Sequence, residues 1–428
     1  MMLPLLMQAL SIGTAPFWTV VPARPTAPNA GYATLPSTTY HEVYHAAPGR
    51  AYNLASMLGF DGGGTLTVAW KQGVESEYKR GQHIACVQST DGGVTFAKPF
   101  EMFPDLSTKK LAAALFVGRP VLVAGGRQYW GAPPGEPTGA AEGAQFCLWP
   151  DPLDLPATGK RNCEPPGAPQ ASGTLLVREV GAAGKMGDVF WFGAKVPKKW
   201  EAASKALGLK TIAQMDARTQ ADLAKFTAEP KALPCASSGS CNASWCVGGC
   251  QVYDSIPEAT QPFIGNERTH FNDAGGGAGD TLLYRSGKKP QLYASVREDR
   301  HGGQAFWQPP TLTNIPNDES NINAGHLPGA GGAVYLVSNS VFRAKPSDSS
   351  ALRFRDPLTI ALAAFSVMSC TNLSSTSLCA TRLPGSGKNC GPSYPQATLT
   401  PDGKTLVVVA TNNKEDVWLA RIAVSDFT

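Results

Sequence analysis

From Tyr52 to the C-terminus the chain consists of short apolar runs cut by glycine and proline, among them "GTLTVAW", "HIACVQS", "RPVLVAGG", "TLLVREV", "DVFWFG", "AVYLVSN" and "TLVVVA". Runs this short, rich in Val, Leu, Thr and aromatic residues and bounded by turn formers, predict strands. The 45 glycines and 35 prolines fall between them, where turns are needed. With 43% hydrophobic and 16% charged residues, a chain of 428 residues can bury a large core. The fold class is all-β, and a sandwich pair, a β-helix or a propeller would each suit the pattern.

One local motif narrows the choice. "STDGGVTF", residues 89–96, has the form Ser-x-Asp-x-Gly-x-Thr-aromatic. Asp91 can accept hydrogen bonds from turn amides, Gly93 supplies a permissive backbone, and Phe96 can plug the sheet below. A degenerate second copy, "SVREDRHGGQAFW", spans residues 295–307. At roughly sixty residues per blade, a six-bladed propeller fits residues 31–428 once an insertion at about 197–262 is set aside. Within that insertion, residues 198–229 show helical signals. Thr211 to Gln214 and Thr219 to Asp222 each resemble a helix-start box ahead of apolar Met215, Leu223 and Phe226.

Ten cysteines, an even number, stand at positions 86, 147, 163, 235, 241, 246, 250, 370, 379 and 390. Disulfides are expected, because Cys235, Cys241, Cys246 and Cys250 lack the close pair of a zinc ribbon. Two glycosylation sequons, beginning at Asn242 and Asn372, agree with an oxidising, secretory compartment. Residues 1–30 read as a leader or signal peptide and linker. No stretch is long and apolar enough for a membrane span, and a net charge of +4 without a polybasic block indicates neither nucleic acid nor an anionic membrane as partner. A secreted monomer is expected.

The ordered set "NERTHFNDAGGGAGDTLLYRS", "RFRDPLTIAL" and "SYPQATLTPDGKTLVVVATNNKED", with the aspartate turn, resembles the sialidase (neuraminidase) superfamily. The likeness covers residues 52–96 and 266–422. A group of bacterial sialidase-like proteins shares Trp70, Glu77, Gly81, Gln82, Ser89 and Asp91, together with the terminal Lys414, Glu415 and Asp416.

The resemblance implies a six-bladed propeller and a retaining exo-glycosidase acting on glycans with a terminal acidic sugar, without cofactor or metal. It implies Tyr394 as nucleophile, Glu267 as the base that takes the phenolic proton, and Arg285 and Arg355 as a clamp on the substrate carboxylate. A sialic acid carries its carboxylate on the anomeric carbon, so a neutral phenol attacks where a carboxylate would be repelled. The free phenol, with a pKa near ~10, needs such a base. Glu77 is the candidate acid/base. Where the family carries its first arginine, this chain has Asn53, and Arg50 is the nearest cation; both are carried as substrate-binding candidates. A glycan-binding propeller without activity, and a hydrolase or lyase for another acidic polysaccharide, are the alternative functions.

A competing motif is "HEVYH", residues 41–45, which matches the His-Glu-x-x-His pattern of zinc proteases. That pattern needs a helix, yet Pro36 precedes it and Pro48-Gly49 follows it. His41 and His45 are therefore expected in a loop near the propeller mouth.

Overall fold

The computed structural model describes residues 35–74, 81–107, 114–115, 119–124, 126–132, 134–137, 146–148, 174–193, 196, 198–228, 241–242, 264–271, 281–286, 291–299, 305–307, 311–317, 320–327, 333–339, 353–355, 358–364, 367–372 and 389–427. They form an all-β fold whose strands pair antiparallel except at two short parallel pairs, Phe190–Trp191 with Lys210–Thr211 and Arg353–Phe354 with Asn389–Cys390. The N-terminal sheet follows chain order through β2 (Tyr52–Phe60), β3 (Leu66–Gly73), β4 (His83–Ser89) and β5 (Phe100–Phe103). The C-terminal sheet runs Pro392–Leu399, Thr405–Asn412 and Asp416–Ala423, and its last place is taken by β1 (Thr39–Tyr44), the first strand of the described chain. Three further sheets contain the strands Arg119–Ala124, Ile264–Phe271 and Asn323–His326, the second of them flanked by the short strand Cys241–Asn242.

One strand from each of these sheets stands beside the next. Strand β2 lies against Arg119–Ala124 on one side and Pro392–Leu399 on the other; Asn323–His326 lies between Pro392–Leu399 and Ile264–Phe271. The sheets also pack face to face, which explains why β3 and β4 are apolar on both faces and buried throughout. Alternation decides which neighbour each residue meets. Val68 and Trp70 pack on Val407, Val409 and Leu419 of the C-terminal sheet, whereas Ala69 and Cys86 face Trp130, Leu176 and Trp191. In the C-terminal sheet Leu406, Val408 and Ala410 turn the other way, toward Tyr335, Val337 and Ile360.

The aspartate turn joins β4 to β5 as its residues predict. The carboxylate of Asp91 accepts hydrogen bonds from the Val94 and Thr95 amides and from the Ser89 and Thr95 hydroxyls, the last two at 2.6 Å. Ser89 Oγ in turn accepts from the Gly93 amide at 2.7 Å. Gly93 has φ +95°, a conformation that strains any side chain, and a Cβ there would crowd Leu66 and Leu419 at 3.1 Å. Phe96 packs on the core shared by the first and last sheets. The strands Gln291–Asp299 and Ala305–Trp307 pair as a hairpin around the second copy, whose turn lies outside the described residues.

The helical signals are met by α1 (Lys198–Ala206) and α2 (Ala217–Ala228), with Met215 and Leu223 buried. The second start box is displaced: Asp216, not Thr219, caps α2, accepting from the Thr219 amide at 2.8 Å and hydroxyl at 2.7 Å. Asp222 accepts instead from Arg127 and from the Tyr129 hydroxyl at 3.0 Å. The first box holds a 3-10 turn, Ile212–Gln214, rather than an α-helix, with the Gln214 side chain accepting from the Thr211 amide at 2.8 Å.

Cys86 is a free thiol in the core of β4, and burial pushes its pKa up, so the ten cysteines do not all pair. The leader and Cys163, Cys235, Cys246, Cys250 and Cys379 lie outside the described residues. The His-Glu-x-x-His pattern sits on and just after the edge strand β1 rather than in a loop, where four residues of extended chain separate His41 and His45 by ~13 Å. No group of metal-ligating side chains assembles among the described residues, and no described helix is long and apolar enough to cross a membrane.

Hydrogen bonding holds the Asp91 carboxyl well below the usual range, against the opposing effect of its burial. Asp91→Ala is expected to lower stability by about 1–2 kcal/mol at pH 7 in denaturant titrations. Because the folded pKa is depressed, this contribution is complete above the unfolded value of ~3.9 and is lost as pH falls below it. The gap between variant and wild type should therefore begin to narrow below about pH 4 and close only as the pH falls through the much lower folded value.

Candidate functional site

Strand register collects the candidate residues toward one end of their sheets. Asn53 is the second residue of β2, Tyr394 the third of Pro392–Leu399 and Glu267 the fourth of Ile264–Phe271; Arg285 is next to last in the neighbouring strand Thr281–Ser286. Strands β2, Pro392–Leu399 and Ile264–Phe271 each also break register in this opening half. The shifts fall between Leu54 and Met57, between Ser393 and Gln396, and between Ile264 and Arg268. A β-bulge inserts a residue and re-aims the side chains around it. Two of the bulges carry a non-glycine residue at positive φ, Ala55 at 52° and Tyr394 at 55°. That conformation costs about 1 kcal/mol or more, so the surrounding packing must enforce it.

The bulge sets the Tyr394 ring, half-buried, against Arg355. The guanidinium carbon lies 5.1 Å from the ring centroid, and the arginine is only 2% exposed. Arg355 directly follows the strand Arg353–Phe354, which runs parallel to Asn389–Cys390, just before the tyrosine strand. Asn339 fixes this juxtaposition. Its side-chain amide donates to the Arg355 carbonyl and, at 3.1 Å, to the Pro392 carbonyl. Arg355 and Tyr394 are thus brought together by a residue the sequence did not single out.

Asn53 has a different role from the one expected. It is fully buried and its side chain is saturated: Oδ1 accepts from Trp70 Nε1 and Gln72 Nε2, both at 2.9 Å, while Nδ2 donates to the carbonyls of Arg50 at 3.0 Å and Glu415 at 2.6 Å. Four bonds exhaust the capacity of the donors and most of that of the oxygen. Asn53 is a structural tie and has no donor left for a substrate. Arg50, its proposed substitute, lies on the exposed approach to β2 with its guanidinium against the His83 ring, 2.6 Å from Nε2. Burial first, and Arg50 second, lower the His83 pKa to about 4, which leaves that imidazole neutral at pH 7.

The tie made by Asn53 leads to the hairpin turn between Thr405–Asn412 and Asp416–Ala423. Asn413 and Lys414 both have φ +56°, and the Glu415 amide donates to the Asn412 carbonyl at 2.8 Å, which is the geometry of a type I′ turn. Asn suits the first central position. The second favours glycine, yet this chain places a lysine there. The Asn53 amide donates to the Lys414 carbonyl at 2.8 Å, and the Asn413 side chain accepts from the Gly391 amide at 2.7 Å. Held in this way, Lys414 is 6% exposed, with Nζ 5.5 Å from the centroid of Tyr52 and 6.0 Å from that of Tyr394. The signal was present in "TNNKED", because a lysine where a tight hairpin wants glycine is an anomaly in the sequence itself. Glu77 and the side chain of Glu267 lie outside the described residues.

No family model and no curated protein matches this chain. Among solved structures it superposes on a sialidase with a TM-score of 0.62 at 17% identity, covering 92% of this chain and 33% of that one. It also superposes on the Hadza microbial sialidase Hz136 with a TM-score of 0.52 at 9% identity, covering 90% of this chain and 69% of that one. The chain has the sialidase fold. It spans about a third of the length of the first of these proteins, so the likeness is one of architecture.

Asn53→Ala leaves the Trp70 indole and Gln72 amide buried without their acceptor and frees the turn at Lys414 to Glu415. Chemical denaturation should record a loss of about 2–4 kcal/mol, far above the effect of an exposed asparagine.

Proposed function

We propose that this chain is a sialidase-like exo-glycosidase that releases a terminal acidic sugar, sialic acid or a relative, from glycans with retention of configuration. The observation that carries the reading is the buried Arg355 guanidinium 5.1 Å from the ring of Tyr394, a tyrosine held at positive φ on the first strand of its sheet. A structural tyrosine does not require such strain, and backbone strain of this kind concentrates at functional sites. The sialidase fold adds weight as an architecture known to host this chemistry.

In this mechanism Glu267 takes the phenolic proton as Tyr394 Oη attacks the anomeric carbon, and Glu77 protonates the departing glycosidic oxygen. Water activated by Glu77 then cleaves the glycosyl–tyrosine bond, and the phenol recovers its proton from Glu267. Two inversions give net retention. Arg355 and Arg285 hold the sugar carboxylate, and a cation at the tyrosine ring also stabilises the negative charge that develops on the phenol oxygen. The sheets belong in this reading to a six-bladed propeller whose first strands line a central cup. The protein acts as a secreted monomer.

A second reading, a propeller that binds acidic glycans without cleaving them, is favoured by one observation: the residue in place of the first arginine, Asn53, is neutral and fully engaged. Fluorogenic sialosides, with ulosonic and uronic analogues, separate the two. Turnover that falls by about 10³-fold in Tyr394→Phe, with binding retained, is the expected result. Saturable glycan binding with no turnover of any substrate would establish the second.

A further inference from the structure

We infer that Lys414 is a carboxylate-recognising cation of this site, supplying from the last hairpin the charge that Asn53 does not supply from β2. The inference rests on the acidic-sugar reading above and names a residue within it. A lysine buried to 6% exposure is rare unless it is engaged by other groups, and Lys414 is buried at a backbone conformation that glycine would adopt without strain. Its ammonium converges with the Arg355 guanidinium on one ring, that of Tyr394, and rests on a second, Tyr52. Asn53 holds the lysine there through its own amide, at 2.8 Å from the Lys414 carbonyl, and through its side chain on Glu415.

Asn53 is thus a positioning residue for a cation that comes from a different strand connection. The ligand this arrangement takes is a monoanionic carboxylate on a sugar. It would receive paired, planar donation from Arg355 and a single, reorientable N–H from Lys414.

The test compares wild type with Lys414→Met, Lys414→Arg and Lys414→Gly, using N-acetylneuraminic acid and its carboxyl methyl ester as probes in calorimetry or ligand-observed NMR. Wild type should prefer the acid to the ester. Lys414→Met should lose at least tenfold of acid affinity with ester affinity unchanged, and Lys414→Arg should recover most of the loss. Lys414→Gly relieves the positive-φ strain, so it should lose the same affinity while its melting temperature stays level or rises. A merely structural lysine gives the opposite pattern: Lys414→Gly melts lower, and Lys414→Met retains the full acid preference. That outcome overturns this inference and leaves the acidic-sugar reading standing. If wild type shows no preference for the acid and turns over no acidic glycoside, that reading falls and the inference with it.

Discussion

The hydrogen bonds of Asn53 are the constraint from which the described site is organised. One buried side chain draws Trp70 and Gln72 of the first sheet and the carbonyl of Glu415 from the last hairpin onto the same amide. Its backbone adds the bond to Lys414. Each partner is a buried polar group whose desolvation must be compensated, so the set behaves as a unit, and partial satisfaction would be worse than an apolar core. The apolar faces shared by these two sheets bring them to contact distance. They do not decide which turn meets which strand, because hydrophobic packing has no direction.

Strain is distributed around this tie. Ala55, Tyr394, Asn413 and Lys414 all hold left-handed backbone conformations, two in bulges of adjacent strands and two in the hairpin that joins Thr405–Asn412 to Asp416–Ala423. Such conformations persist only where the surroundings over-determine them. Here the over-determination is visible in Asn339 bridging Arg355 to Pro392, in Asn413 bridging to Gly391, and in Asn53 bridging to Lys414 and Glu415. Three buried asparagines thus position two cations beside one tyrosine. Asparagine suits the task because it offers both donors and an acceptor on a short, uncharged stem.

Much of the architecture was legible beforehand. The strands from "GTLTVAW" to "TLVVVA" stand where their apolar runs predict, and the aspartate turn takes the hydrogen bonds its residues allow, since short-range turn chemistry depends on a few adjacent residues. Tyr394 and Arg355, grouped in the sequence only through the resemblance, lie side by side. The Asn53 side chain spends its donors on the carbonyls of Arg50 and Glu415, and the Arg50 guanidinium lies against His83. Asn339 left no signal at all. A hydrogen bond from a side chain to a distant backbone carbonyl carries no pattern that spacing could reveal. The cap of α2 was misplaced by three residues because Asp216 and Thr219 compete for the same role, and only the folded chain shows Asp222 committed to Arg127.

What the sequence by itself determined is local: strand identity, the tight turns, the apolar alternation and the presence of a tyrosine, two arginines and a misplaced lysine in a glycine position. What the tertiary structure decided is convergence. Tyr394, Arg355, Lys414 and Asn53 lie on different segments, and their proximity depends on which sheet packs on which and on single polar contacts across those interfaces. Local conformation is governed by neighbours in the chain, whereas the charge beside a phenol is governed by neighbours in space. Nothing in residues 50–55 records that the missing cation would arrive from a hairpin more than three hundred residues away.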